Sequence, residues 1–289
     1  LSVLVVGLDD AGALPALFGA EAPFGYEEVR LYAPSTGEVR GRVLTPDDAL
    51  LEYLMDHGLR RVAKRLVSTG VLDVVATAIP GVREILVLGK VKQLERSETA
   101  DLVVLDAPAT GHAVRFLTSA NGLLDAARGG PLRAQAAEVV EMLQDPGRLQ
   151  VLLVTLPEET PVNELVETAY RFEDEVGVML GPVVVNACYA PIAHLDADPA
   201  VLAELAGEAP GPGELASLGG AALFRRHRQE LQEGQLARLA EELPLPQLRL
   251  GYLFSTEIGP GEVATLAEAL GAAIDQLGEA LPDERASAS

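Results

Sequence analysis

Leu102-Val103-Val104-Leu105-Asp106-Ala107-Pro108-Ala109-Thr110-Gly111-His112 is an apolar run closed by a carboxylate, followed by a turn containing Pro and Gly. A nearly continuous run rich in β-branched residues, rather than an alternating one, marks a strand covered on both faces. Four further runs share that character: 2–8, 150–156, 182–187 and 247–254. Helical patterns lie between them. Residues 131–144 open on Pro131 and stop at Asp145-Pro146. Residues 161–175 follow Thr160 as a candidate N-cap, and 261–278 repeat apolar positions near the helical period at Val263, Leu266, Leu270, Ile274 and Leu277. Strand alternating with helix predicts an α/β fold, a doubly wound, mostly parallel sheet. Two helical inserts are expected, at about 45–98 and 196–243, in a single domain over 1–281 with a short polar tail at 282–289.

Composition narrows the function. The 289 residues carry 43 acidic and 22 basic side chains, a net charge of −21. Such a chain is repelled by phosphate backbones and by anionic lipid, so general nucleic-acid binding is excluded as an expectation. Hydrophobic residues make up 48%, too many for a disordered chain. No apolar run reaches the roughly 18 residues of a membrane span, so no integral membrane segment is expected. Cys188 is the single cysteine, which excludes an internal disulfide and a cysteine zinc site. A reducing, cytoplasmic setting is the expectation.

In an open parallel sheet, ligands bind beyond the carboxyl ends of the strands. There the sequence places Asp9-Asp10, the Asp106–His112 turn, Pro157-Glu158-Glu159, Asn186 and Ser255-Thr256-Glu257. Each alone reads equally as an ordinary turn residue. Together they predict two carboxylates, an amide and a Gly-containing turn on one rim. A strand ending in Asp is how many nucleoside triphosphatases hold Mg²⁺, usually through a water. Asp9 would orient or deprotonate an attacking water, needing only hydrogen-bond reach.

Asp106-Ala-Pro-Ala-Thr-Gly-His-Ala-Val-Arg-Phe-Leu117 resembles the second switch segment of the arsenite-transporting ATPase family, which also includes the targeting ATPase for tail-anchored membrane proteins. Leu8–Leu14, running on to Phe18-Gly19, resembles that family's first switch; Gly7, Asp10 and Gly12 stand where the family has Asp, Pro and His. Val154–Glu159 resembles its Thr-x-Pro-Glu strand end, and Val183–Asn186 its adenine-reading strand. The resemblance implies an ATPase that binds and hydrolyses ATP with Mg and couples its switch segments to a partner. It implies Asp9 as the water-orienting carboxylate, Asp106 on the magnesium side, Thr110 and Gly111 at the nucleotide and Asn186 on adenine. It also implies a homodimer, or a heterodimer with a related ATPase.

The family's phosphate loop has no counterpart. No G-x-x-x-x-G-K-[ST] occurs; Gly89-Lys90 is followed by Val91, and Glu84 stands where the first Gly would. Lys64, Lys90 and Lys92 are the only lysines, all within 45–98. Leu1 is not methionine and a strand pattern starts at Ser2, so a preceding strand, loop and helix, on the order of 30–40 residues, is expected. The alternative is a non-catalytic ATPase-like partner or scaffold subunit. Other chemistry lacks its signature: no G-x-S-x-G elbow, no G-x-G-x-x-G after a strand, and no metal spacing among His57, His112, His194 and His227.

Overall fold

A computed structural model describes residues 1–8, 14–20, 24–33, 37–69 and 81–280. Asp9 and the tail fall outside the described residues. In chain order the elements are β1 (Ser2–Leu8), the single turn α1 (Leu14–Leu17), β2 (Val29–Tyr32), β3 (Glu38–Leu44), α2 (Pro46–Asp56), α3 (Arg60–Thr69), α4 (Val82–Arg96), β4 (Leu102–Asp106), α5 (Thr110–Ala126), α6 (Pro131–Gln144), β5 (Val154–Thr155), α7 (Glu159–Arg171), β6 (Val183–Cys188), α8 (Pro199–Ala206), α9 (Pro212–Glu242), β7 (Gln247–Gly251) and α10 (Pro260–Ala280). A π-helical turn, Phe172–Val176, follows α7. The fold is α/β with mostly parallel strands, as the apolar runs predict. No helix among the described residues is long and apolar enough to cross a membrane.

The strands form two sheets in two compact units. The first unit holds 1–151, 168–180 and 257–263, with strand order β2-β3-β1-β4. β1 pairs in parallel with both β3 and β4, Leu8 opposite Leu44 and Gly7 opposite Asp106. The carboxyl ends of three strands therefore share one edge. Leu4, Val6, Leu44, Ile85, Val114, Val139 and Leu143 are among its buried core side chains. α4 buries eight of its residues, from Val82 to Leu94, and packs with α2, α5 and α6. A helix that buries side chains around most of its circumference belongs inside a core. The second unit holds 152–167, 181–256 and 264–289, with parallel order β5-β6-β7. Val184, Leu248 and Leu250 form its buried cluster, against which Leu266, Leu270, Ala273 and Leu277 of α10 pack.

Two strands lack the continuous apolar character. β3 alternates Glu38, Arg40 and Arg42 with Val39, Gly41 and Val43. Its charged face is paired rather than solvated. Arg40 donates to Glu28 at 2.5 Å, and Arg42, nearly buried, lies 4.6 Å over the Tyr26 ring. Tyr26 donates its hydroxyl to Glu52 of α2, which also accepts from Lys90 of α4 at 2.6 Å. Burial, then the bond to Glu52, pushes the Tyr26 hydroxyl far above the usual tyrosine range. Burial pushes the Glu52 carboxyl up as well, but the Lys90 and Tyr26 bonds outweigh it and hold the group below its ordinary value.

A carboxyl lowered by folding contributes stability above its unfolded value and loses it as pH falls through its folded value. Glu52→Gln is expected to lower stability by about 1–3 kcal/mol near neutral pH. In urea unfolding, the gap to the parent protein should hold down to about pH 4 and close below it; a gap that persists undiminished as pH falls further would refute the assignment.

Candidate nucleotide site

The first unit holds Asp106, Thr110 and Gly111 of the candidate residues, while Asn186 belongs to the second unit and Asp9 lies outside the described residues. The β1–β4 register sets Asp106 at the carboxyl tip of its strand, beside Gly7 and so one residue from the end of β1. Asp106 is exposed and has no hydrogen-bond or ion-pair partner among the described residues. One carboxylate with open coordination suits Mg²⁺, which keeps several waters beside a nucleotide. No group of three or more His, Cys, Asp or Glu that could hold a metal occurs among the described residues.

Four residues on, α5 begins. Ala109 is its N-cap, and Thr110 and Gly111 open its first turn, both exposed. That turn carries no acidic residue and no side-chain cap, so its amides are left for an outside acceptor. Thr110 holds φ at 27°, a backbone that side chains rarely adopt and one that collects at functional sites. A Cβ on Gly111 would meet nothing within 4 Å. The space in front of the helix end is therefore open.

The second unit carries its own rim. Asn186 sits near the end of β6, and its Oδ1 accepts the Ala187 amide at 2.8 Å. That bond leaves both Nδ2 hydrogens for an acceptor. Ala187 is left-handed, with φ at 59°. Gln232 of α9, only 5% exposed, holds the turn from both sides: its Oε1 accepts the Tyr189 amide at 2.8 Å, and its Nε2 donates to the Ala187 carbonyl at 3.1 Å. Around this turn an aromatic cluster gathers. Tyr189 meets Tyr252 at 5.1 Å edge-on and Phe254 at 6.0 Å nearly parallel. Arg225 lies 4.1 Å over the Tyr189 ring and donates to the Ala190 carbonyl at 2.9 Å. Arg228 pairs with Glu158, which follows β5, at 2.7 Å. The sequence reading singled out Asn186 and missed this cluster. Its signal was present: Tyr189, Tyr252 and Phe254 each follow a strand end in a chain with only 4% aromatic residues.

The remaining candidates sort by chemistry. Burial pushes the Cys188 thiol up, against only a weaker effect of Arg249, so the thiolate is disfavoured. Lys90 is committed to Glu52, and Lys92 to Glu138 at 2.7 Å. Neither lysine is free to serve a phosphate group.

The comparisons with known proteins bear on the first rim. Residues 53–126, which run through Asp106, Thr110 and Gly111, match the family described as anion-transporting ATPase. The ATPase BagA of Mycobacterium tuberculosis is 32% identical over 192 residues, 64% of this chain and 56% of that protein. A putative arsenical pump-driving ATPase of Halobacterium salinarum is 30% identical over 205 residues, 63% of this chain and 30% of that protein. The ATPase get3 of Schizosaccharomyces japonicus is 31% identical over 116 residues, 40% of this chain and 34% of that protein. The chain thus spans about half the length of the mycobacterial relative.

Gln232→Leu orphans the Tyr189 amide and the Ala187 carbonyl together, and is expected to cost about 1–3 kcal/mol in urea unfolding. The chain has no Trp, so its near-ultraviolet dichroism comes from tyrosine and phenylalanine. That signal should shrink in the variant if the ring cluster loosens. An unchanged spectrum with unchanged stability would show that Gln232 does not hold the turn.

Proposed function

We propose, from the premise that the chain is an ArsA-like ATPase family member, that the intact protein binds Mg-ATP and hydrolyses it. The observation that carries this is the strand tip where Asp106 stands unpaired ahead of the open amino end of α5, inside the segment matched to the anion-transporting ATPases. Asp106 takes the metal side, holding a water of the ion. Mg²⁺ itself supplies neutralisation of charge on the phosphoryl oxygens. The Thr110 and Gly111 amides donate hydrogen bonds to the terminal phosphate at a helix amino end. Asp9 orients the attacking water, and Asn186 reads the adenine with its Nδ2 hydrogens. The switch segments 8–19 and 106–117 pass the nucleotide state to a partner, which is a second copy or a related ATPase.

These 289 residues hold no lysine-bearing phosphate loop, so that part of the machinery has to come from outside them. β4 and β5 each end their sheet among the described residues, and each carries exposed apolar side chains: Leu102 and Val104 on β4, Leu152 and Val154 at β5. Parallel strands are normally covered and paired on both sides. One observation favours the second reading, a non-catalytic partner subunit: Lys90 and Lys92 are already spent in ion pairs.

Calorimetry with Mg-ATP on the full gene product separates the two. The ATPase reading expects binding, with Asp9→Asn keeping affinity and losing turnover, and Asn186→Ala weakening ATP roughly fivefold, as one lost hydrogen bond would. No binding by the full product would establish the scaffold reading instead.

A further inference from the structure

We propose that the cationic face of α3, together with the apolar corner leading into it, is a docking surface for an anionic lipid membrane. The proposal is independent of nucleotide chemistry. In a chain of net charge −21, Arg60, Arg61, Lys64 and Arg65 stand within one and a half helical turns, four of the 22 basic residues. At about 100° per residue they fall on one arc of the helix, while Ala63, on the opposite arc, is buried. All four are exposed. Arg60, Arg61 and Lys64 have no ion-pair partner among the described residues, although the same structure pairs Arg40, Lys90, Lys92, Arg148 and Arg228 with carboxylates. The nearest acid in sequence, Asp56, accepts a bond from Gln93 at 3.4 Å.

Helix stability does not account for this placement. Arg60 and Arg61 occupy the first turn of α3, which has no acidic residue. The amino end of a helix is already a positive pole, so cations there are unfavourable by a few tenths to about 1 kcal/mol each. The arrangement instead concentrates positive potential at one point of an acidic molecule. At physiological salt the Debye length is about 8 Å, so a surface in contact with this patch feels it ahead of the distant acids.

The side chains beside the patch select the kind of partner. The chain turns from α2 into α3 through left-handed Gly58, with the Gly58 amide on the Met55 carbonyl and the Leu59 amide on the Leu54 carbonyl. This corner leaves Met55, Leu59 and Val62 each 45–48% exposed. Apolar side chains bordering a cationic arc suit the headgroup and acyl boundary of a bilayer, where the first enter and the second meet phosphate. A nucleic acid would have no use for the corner, and no aromatic side chain of α3 offers a base a stacking face.

The test is co-sedimentation of the full chain with vesicles of phosphatidylcholine alone and with about 30% phosphatidylglycerol. Binding is expected only to the anionic vesicles and is expected to disappear as NaCl is raised. The triple variant Arg60→Ala, Arg61→Ala, Lys64→Ala should bind on the order of 100-fold more weakly, with the far-ultraviolet spectrum and melting temperature of the parent. The double variant Arg60→Lys, Arg61→Lys should retain binding, because charge and not guanidinium geometry is required. Equal sedimentation with neutral vesicles, no sedimentation with anionic ones, or undiminished binding by the triple alanine variant overturns the proposal. So does displacement from the vesicles by polyglutamate or duplex DNA at matched charge, which would make the patch a general anion site.

Discussion

Parallel hydrogen bonding of β1 to β3 on one side and β4 on the other organises the first unit. The register puts Gly7 opposite Asp106 and Leu8 opposite Leu44, so three strands stop at the same edge. A shift of one residue would turn Leu4 and Val6 out of the core and carry Asp106 to the other face. The chemistry of the Asp106 turn thus follows from apolar packing several residues away. The Asn186 turn is set by different means. There a polar side chain, Gln232, fixes the backbone after β6 from inside the second unit.

Acidity is handled by the same economy of placement. Where cations are buried they are matched: Arg42 and Lys90 share Tyr26, Glu28 and Glu52, and Arg148 meets Glu95 through two hydrogen bonds. Such groups specify how β3, α2 and α4 meet, because leaving one charge unmatched in that interior is costly. Arg60, Arg61 and Lys64 of α3, exposed to solvent, have no ion-pair partner among the described residues. Charge therefore has two roles in one molecule, alignment within and potential at the surface.

Much of the architecture was legible because it was written in continuous apolar runs. All five strands expected from such runs are present, and α6 spans the residues bounded by Pro131 and Asp145-Pro146. β3 was not legible, because Glu38, Arg40 and Arg42 give it the look of a solvated segment, and only the surrounding acids reveal that this face is enclosed. α4 looked like part of an insert, yet its residues on every side are buried, a property that depends on α2, α5 and α6 arriving from elsewhere in the chain. For the candidate site, the sequence placed Asp106 at the end of a strand and Thr110 and Gly111 just beyond it, and β4 and α5 have that order. The ring cluster at Tyr189 escaped because its members lie far apart in sequence and none forms a motif alone.

Among the described residues the outer margin of β4 has no neighbouring strand, which has a practical meaning for anyone handling the protein. Its outer row of amides and carbonyls is a template, and Leu102 and Val104 make that template sticky. Nothing charged or kinked along Leu102–Leu105 discourages a stranger's backbone from zipping onto it. During synthesis or refolding, whichever polypeptide reaches that margin first, its own or a neighbour's, decides between a soluble particle and a precipitate.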